Sequence, residues 1–203
     1  MMFSTQEMRW FFAGAVPPLV AAWFGAQVCA ALSQPPRTDF YLQLDGDDSL
    51  GVKLREGRME VKQREGAGVP VQLGEQAVGQ MESWRKWSFG LADTGNVTEQ
   101  WVGVWKARRW CLFDVGENGR IIPTLPATVL EQGCACELTE IHLVDSPEPW
   151  WSLGLEAFGG TAVQRRERLL LVAKTFLTQP GAPSLPSEQS YSYPKWLQMA
   201  KRD

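Results

Sequence analysis

The chain has 203 residues, 44% of them hydrophobic and 21% charged, an ordinary composition for a folded protein that buries one substantial core. Its net charge of −3 argues against a general nucleic-acid binder, whose footprint is normally basic, so no specific nucleic-acid partner is expected. Four cysteines without regular spacing fit a reducing, cytoplasmic setting, and one histidine with no G-x-S-x-G leaves no triad chemistry.

The first element is ambiguous. Trp10 to Leu32 carries no charge, which admits a membrane span or a signal peptide. Pro17-Pro18 interrupts it, Gln27 is polar, and its flank holds Glu7 and Arg9 instead of a basic cluster. The other division is a strand at Glu7 to Ala13, a Gly/Pro break, and a buried helix from Pro17 to Ala31 with proline in its first turn.

Arg37 to Leu44 reads as a strand and Asp45 to Ser49 as a turn. Leu50 to Glu65 follows, with the pattern of a hairpin turning at Glu56-Gly57. Alternation puts Lys53, Arg55, Arg58, Glu60, Lys62 and Arg64 on one face and Leu50, Val52, Leu54, Met59 and Val61 on the other. A solvated charged face is the ordinary outcome for such a hairpin. The alternative is a charged face lining a cleft or barrel, where an anion would relieve the repulsion among its cations.

Gly66 to Gly79 reads as a loop with room for a short strand at Val69 to Leu73. Two strands rich in Trp, Val and Phe come next, Glu82 to Leu91 and Gln100 to Val115, joined through the turn Asp93-Thr94-Gly95-Asn96. Lys106 and Arg108 share a face of the second. Cys134 to Val144 is a strand carrying Glu137, Glu140 and His142, and Trp150 to Phe158 another carrying Glu156. One long helix spans Thr161 to Leu177. Gln179 to Ser192, rich in Pro and Ser, reads as a mobile tether to a short docking helix at Tyr193 to Ala200. The sum is a mainly β, α+β chain. Its domain spans residues 1–178 as a closed or nearly closed antiparallel barrel with flanking helices, and residues 179–203 form a tail.

Charges recur at i, i+2 spacing as Lys53/Arg55, Glu60/Lys62/Arg64 and Lys106/Arg108, and carboxylates appear late in the chain. Basic walls facing acidic ones suit a polyphosphate: Lys and Arg neutralise its oxygens while carboxylates hold Mg²⁺ or Mn²⁺. The order of these motifs resembles the CYTH superfamily, the triphosphate tunnel metalloenzymes. The resemblance rests on Glu7-Met8-Arg9-Trp10-Phe11, Arg37-Thr38-Asp39-x-Tyr41-Leu42, Leu54-Arg55, Glu60-Val61-Lys62, Lys106-x-Arg108 and the late Glu strands, across residues 5 to 178.

That resemblance implies an eight-stranded antiparallel tunnel that binds or hydrolyses tripolyphosphate or an organic triphosphate. It selects the strand-and-helix division of the N-terminus, with neither secretion nor a membrane partner. It implies phosphate contacts from Arg9, Lys53, Arg55, Lys62, Arg64, Lys86, Lys106 and Arg108, with Lys62 and Arg64 catalytic. Glu7, Glu137, Glu140 and Glu156 are then the candidate metal ligands, Glu140 being at odds with Glu137 in strand parity. The first strand departs from the family's E-x-E-x-K: Arg9 stands at the second Glu and Phe11 at the Lys. A guanidinium in place of a carboxylate repels a divalent cation, so binding is better supported than turnover, and a non-catalytic anion-binding module is the alternative. Two further classes, a barrel for an apolar ligand and a membrane-anchored protein, predict a greasy interior and a need for detergent.

Overall fold

A computed structural model describes residues 2–26, 32–91, 100–116, 118–124 and 130–201. In chain order the elements are β1 (Met2–Ala13), α1 (Pro18–Gly25), β2 (Leu32–Ser33), β3 (Arg37–Leu42), β4 (Leu50–Arg55) and β5 (Arg58–Arg64). They continue with β6 (Val69–Gln72), β7 (Val78–Gly90), β8 (Trp101–Val115), β9 (Ile121–Thr124), β10 (Gly133–Leu143) and β11 (Ser146–Phe158). Helix α2 (Ala162–Leu177) and helix α3 (Tyr193–Ala200) complete the fold.

Neighbouring strands run β1-β11-β10-β8-β3-β4-β5-β7, and β7 pairs back onto β1. The ring is a closed antiparallel barrel of eight strands. Closure removes the exposed edges that an open sheet would present. Three short strands decorate it, β6 on β7 and both β2 and β9 on β8. The β4–β5 turn lies where the Glu56-Gly57 pair places it, with φ of 49° and 74°, the left-handed backbone that a two-residue hairpin turn demands.

Apolar residues pack in two places outside the charged lumen. On the flank, the outward residues Met8 and Trp10 of β1, with Leu153 and Leu155 of β11, pack against Leu169, Val172 and Phe176 of α2 and Trp23 and Phe24 of α1. Thr161 caps α2, accepting from the Gln164 amide at 3.2 Å while the Gln164 side chain accepts from the Thr161 amide at 2.8 Å. At one end of the barrel, Trp196 of α3 inserts among Phe11, Tyr41, Val104, Ile141 and Leu143, stacked on Phe11 at 5.5 Å between ring centroids.

Several boundaries differ from the sequence reading. The first strand begins at Met2, upstream of Glu7, because Met2 to Glu7 continue the ladder with β7. The last third of the expected first helix, residues 27–31, and the turn at residues 93–96 lie outside the described residues. Among the described residues no helix is long and apolar enough to cross a membrane. The segment Gln179 to Ser192 packs on the barrel instead of forming a mobile tether. Leu185 is fully buried and pairs with Ala77, and Ser190 pairs with Trp10. The Ser190 hydroxyl accepts from the Gln80 amide at 2.7 Å and donates to the Arg9 carbonyl at 3.1 Å. Proline and serine raised the expectation of a linker, but an extended segment that satisfies its backbone polar groups on the barrel wall gains more than free chain entropy.

Helix α3 is therefore an integral end-plug. Truncating the fully buried Trp196 to alanine should lower unfolding free energy by about 3–5 kcal/mol, read as a shift in urea midpoint; a change within the scatter of surface variants would contradict the plug.

Candidate functional site: the charged barrel interior

The charged face of the β4–β5 hairpin points into the barrel. Along β5, Glu60 lies opposite Lys53 on one side and Ser88 on the other, and Lys62 lies opposite Lys86. The same inward parity places Glu7 and Arg9 on β1, Arg37 and Asp39 on β3, and Glu82, Trp84 and Lys86 on β7. On the far wall it places Lys106 and Arg108 on β8, Glu137 and Thr139 on β10, and Ser152 and Glu156 on β11. A barrel for an apolar ligand is inconsistent with this lining. Water reaches it, since the Lys53, Arg55, Glu60 and Lys62 side chains keep 21%, 29%, 23% and 27% of their surface.

The wall is organised as carboxylates straddled by pairs of cations. Glu7 accepts from Lys62 through one oxygen and lies 3.0 Å from Lys86 through the other. Lys86 also reaches Glu156 at 2.7 Å. Glu137 accepts from Arg9 at 2.9 Å and from Arg108 at 2.5 Å. Asp39 lies 3.1 Å from Arg37 and 2.9 Å from Lys106. Glu60 is held by Lys53 at 2.9 Å and Arg55 at 2.6 Å. Arg64 inverts the pattern, joining Glu82 at 2.8 Å to Asp48 at 2.6 Å. Lys62 and Lys86 face each other as like charges, which Glu7 between them makes tolerable.

Aromatic groups complete the lining. The Lys62 ammonium sits 4.6 Å from the Trp84 ring, and that of Lys106 lies 4.3 Å from Tyr193 of the plug and 4.5 Å from Tyr41. The Lys106 ammonium also donates to the Tyr41 hydroxyl. Gly154 on β11 is needed by Arg9: a Cβ there would lie 2.5 Å from the guanidinium carbon. The absent side chain lets Arg9 cross to Glu137 and donate to Ser152 at 3.2 Å.

Burial and neighbours shift these groups in opposite senses. Burial alone would raise the Glu7 carboxyl, but the Lys62 and Lys86 ammoniums hold it well below the usual carboxylate range. Glu137 is likewise driven to about 2 by Arg108 and Arg9 against its burial, and Asp39 to about 2 by Lys106 and Lys53. Lys62 falls below its ordinary value although it is bonded to Glu7, because burial costs it more than a shared carboxylate beside Lys86 returns. Lys86, with two carboxylates, overcomes the same burial and is raised. Burial pushes Lys106 down to about 7 despite Asp39, with Lys53 and Arg37 adding repulsion.

Of the sequence-derived residues, the interior brings together Glu7, Arg9, Lys53, Arg55, Lys62, Arg64, Lys86, Lys106, Arg108, Glu137 and Glu156. Glu140 is separated from them: it is exposed on the opposite face of β10 from Glu137, as strand parity requires, and cannot share a metal with it. Arg58, at the hairpin end, is exposed and donates to Ser88 at 2.9 Å. Sequence reasoning left Asp39, Glu82, Asp48 and Tyr193 without a role. Asp39 was signalled by its place between Arg37 and Tyr41 on one strand face; the others became visible only once strands were paired.

The fit of the lining to Mg²⁺ or Mn²⁺ is poor. Among the described residues no three or more Asp, Glu, His or Cys side chains are gathered so as to hold a metal ion. Glu7 and Glu137 spend both oxygens on tethered cations, and Glu156 spends one on Lys86. No protein-family model matches the chain, and no curated protein matches it significantly.

The pKa shifts set two limbs of a stability profile. Glu7, Asp39 and Glu137 have depressed folded values, so their contribution is complete above the unfolded values of 4.5, 3.8 and 4.5 and is lost as pH falls toward about 2. Lys106 is depressed from 10.5 to about 7, so the unfolded chain binds more protons between those values and stability rises with pH there. Urea midpoints should fall on acidification below about pH 4.5, and Lys106→Met should flatten the alkaline limb. A profile flat on both limbs would refute the assignment.

Proposed function

We propose that the barrel interior binds a small phosphorylated anion of the tripolyphosphate or organic triphosphate class. One observation carries the reading: Asp39, Glu60 and Glu137 each lie between two cations, so each of these three clusters leaves positive charge uncompensated, whereas Lys62 and Lys86 are balanced by Glu7 and Glu156. A lumen lined this way repels itself until an anion enters. Planar guanidiniums and mobile ammoniums supply the donors that phosphate oxygens accept. The Thr139 hydroxyl, opposite Arg108 on the inner wall, is buried with no hydrogen-bond partner among the described residues and is available to a ligand oxygen. The motif order that resembles the CYTH superfamily supports the same class of ligand. The reading stops at binding, because the inner carboxylates do not form a metal set on which hydrolysis could be built.

Calorimetric titration of the full chain with tripolyphosphate tests it. Lys62→Ala and Arg108→Ala each leave their carboxylate with a second cation, so the barrel should persist. Each should weaken binding by about ten- to a hundredfold, the worth of about 1.5–3 kcal/mol for a charged hydrogen bond. Lys174→Ala, on the exposed flank of α2, should not. Affinity should also fall with added salt. Equal affinities in all variants, or no heat of binding at all, would sink the reading.

A further inference from the structure

We infer that the barrel takes its oxyanion ligand free of metal, so that free Mg²⁺ or Mn²⁺ competes with the protein for the ligand instead of serving as its cofactor. This rests on the phosphate reading above and adds to it how the ligand's charge is met.

The positions where a divalent ion would sit are filled by cations covalently tethered to the chain. The Lys86 ammonium lies 3.0 Å from Glu7 and 2.7 Å from Glu156, where an ion bridging two carboxylates would be. Lys62 takes the other oxygen of Glu7. Both oxygens of Glu137 are taken, by Arg9 at 2.9 Å and Arg108 at 2.5 Å. Arg9 is built in and not adventitious, because Gly154 opens the opposing backbone for it and any Cβ there would strike the guanidinium at 2.5 Å. Glu137 is already over-neutralised, and Glu7 and Glu156 are matched one for one by Lys62 and Lys86. A divalent ion entering the lumen must displace a side chain that cannot diffuse away, and must then sit beside it as a like charge.

The ligand experiences the opposite field. A fully ionised polyphosphate meets the uncompensated positive charge, whereas a polyphosphate that has already bound Mg²⁺ carries less negative charge and is held less tightly. Glu7 and Glu156 then act as counter-charges that keep the lysines in place until the ligand displaces them. Removing the charge of Glu7 should therefore not weaken ligand binding, whereas for a metal ligand it would.

The test is calorimetric titration of the full chain with tripolyphosphate, in EDTA and again in excess Mg²⁺ or Mn²⁺, for the wild type and for Glu7→Gln. The expected result is affinity in EDTA at least equal to that with metal, and binding by Glu7→Gln equal to or tighter than wild type. Binding tighter by about tenfold or more with metal, or a tenfold loss in Glu7→Gln that retains the wild-type circular dichroism, overturns the inference while leaving the phosphate reading standing. Absence of tripolyphosphate binding with and without metal overturns both. Should Glu7→Gln fail to fold, Mn²⁺ added to the wild-type protein alone decides the point by its electron paramagnetic resonance. The signal of the free aqua ion should persist, and its loss into a bound population overturns the inference.

Discussion

Ionised groups partly withdrawn from water into the barrel lumen impose the constraint on which the rest of this structure depends. Leaving any one of them without a partner would cost several kcal/mol, so each must find an opposite charge at close range. The partners come from different strands. Glu7 on β1 is tied to Lys62 on β5 and Lys86 on β7, and Lys86 reaches Glu156 on β11. Glu137 on β10 joins Arg9 on β1 to Arg108 on β8, and Asp39 on β3 holds Lys106 on β8. These pairs bind the walls across the lumen as well as along it. They also forbid register slips, since a shift of one residue would turn the charges outward and the apolar set inward.

The same constraint explains the placement of the greasy residues. With the lumen given to charge, the apolar core lies outside the barrel under α1 and α2 and at the end filled by α3. The plug is more than a lid. Tyr193 lays its ring against Lys106 and within 5.8 Å of the Arg9 guanidinium, so the end of the lumen is an aromatic floor beneath its cations. An array of ion pairs contributes less to stability than a hydrophobic replacement of equal volume often would. What the array adds is the uncompensated positive charge around Asp39, Glu60 and Glu137, the property on which the proposed function rests.

Much of the architecture is legible in the residues. Alternation along Leu50 to Glu65 and the Glu56-Gly57 turn specify the hairpin and its two faces, and the register agrees residue for residue. Parity alone separates Glu140 from Glu137. The pairings were not legible. Glu82 and Asp48 look like isolated acids until folding brings both to Arg64, and Gly154 looks like a weak point in a strand until Arg9 crosses above it. The order of the tail is hidden for a related reason. Its Pro/Ser content describes local backbone preference, whereas its order comes from Leu185 and Ser190 meeting β7 and β1, which are distant in sequence.

By itself, then, the sequence determined that strands would alternate charged and apolar faces, and which residues would share each face, because the two-residue period of a strand is a local property of the backbone. It also determined that cations would outnumber carboxylates on the charged face of the hairpin. Whether that face looked into a lumen or out to water was decided only by the tertiary structure. Ring closure of β7 onto β1, with α2 and α3 claiming the apolar surfaces, is a long-range outcome that no local period encodes. Closure put Glu7, Asp39, Glu60 and Glu137 each between two tethered cations drawn from different positions in the chain, and brought Glu156 to Lys86.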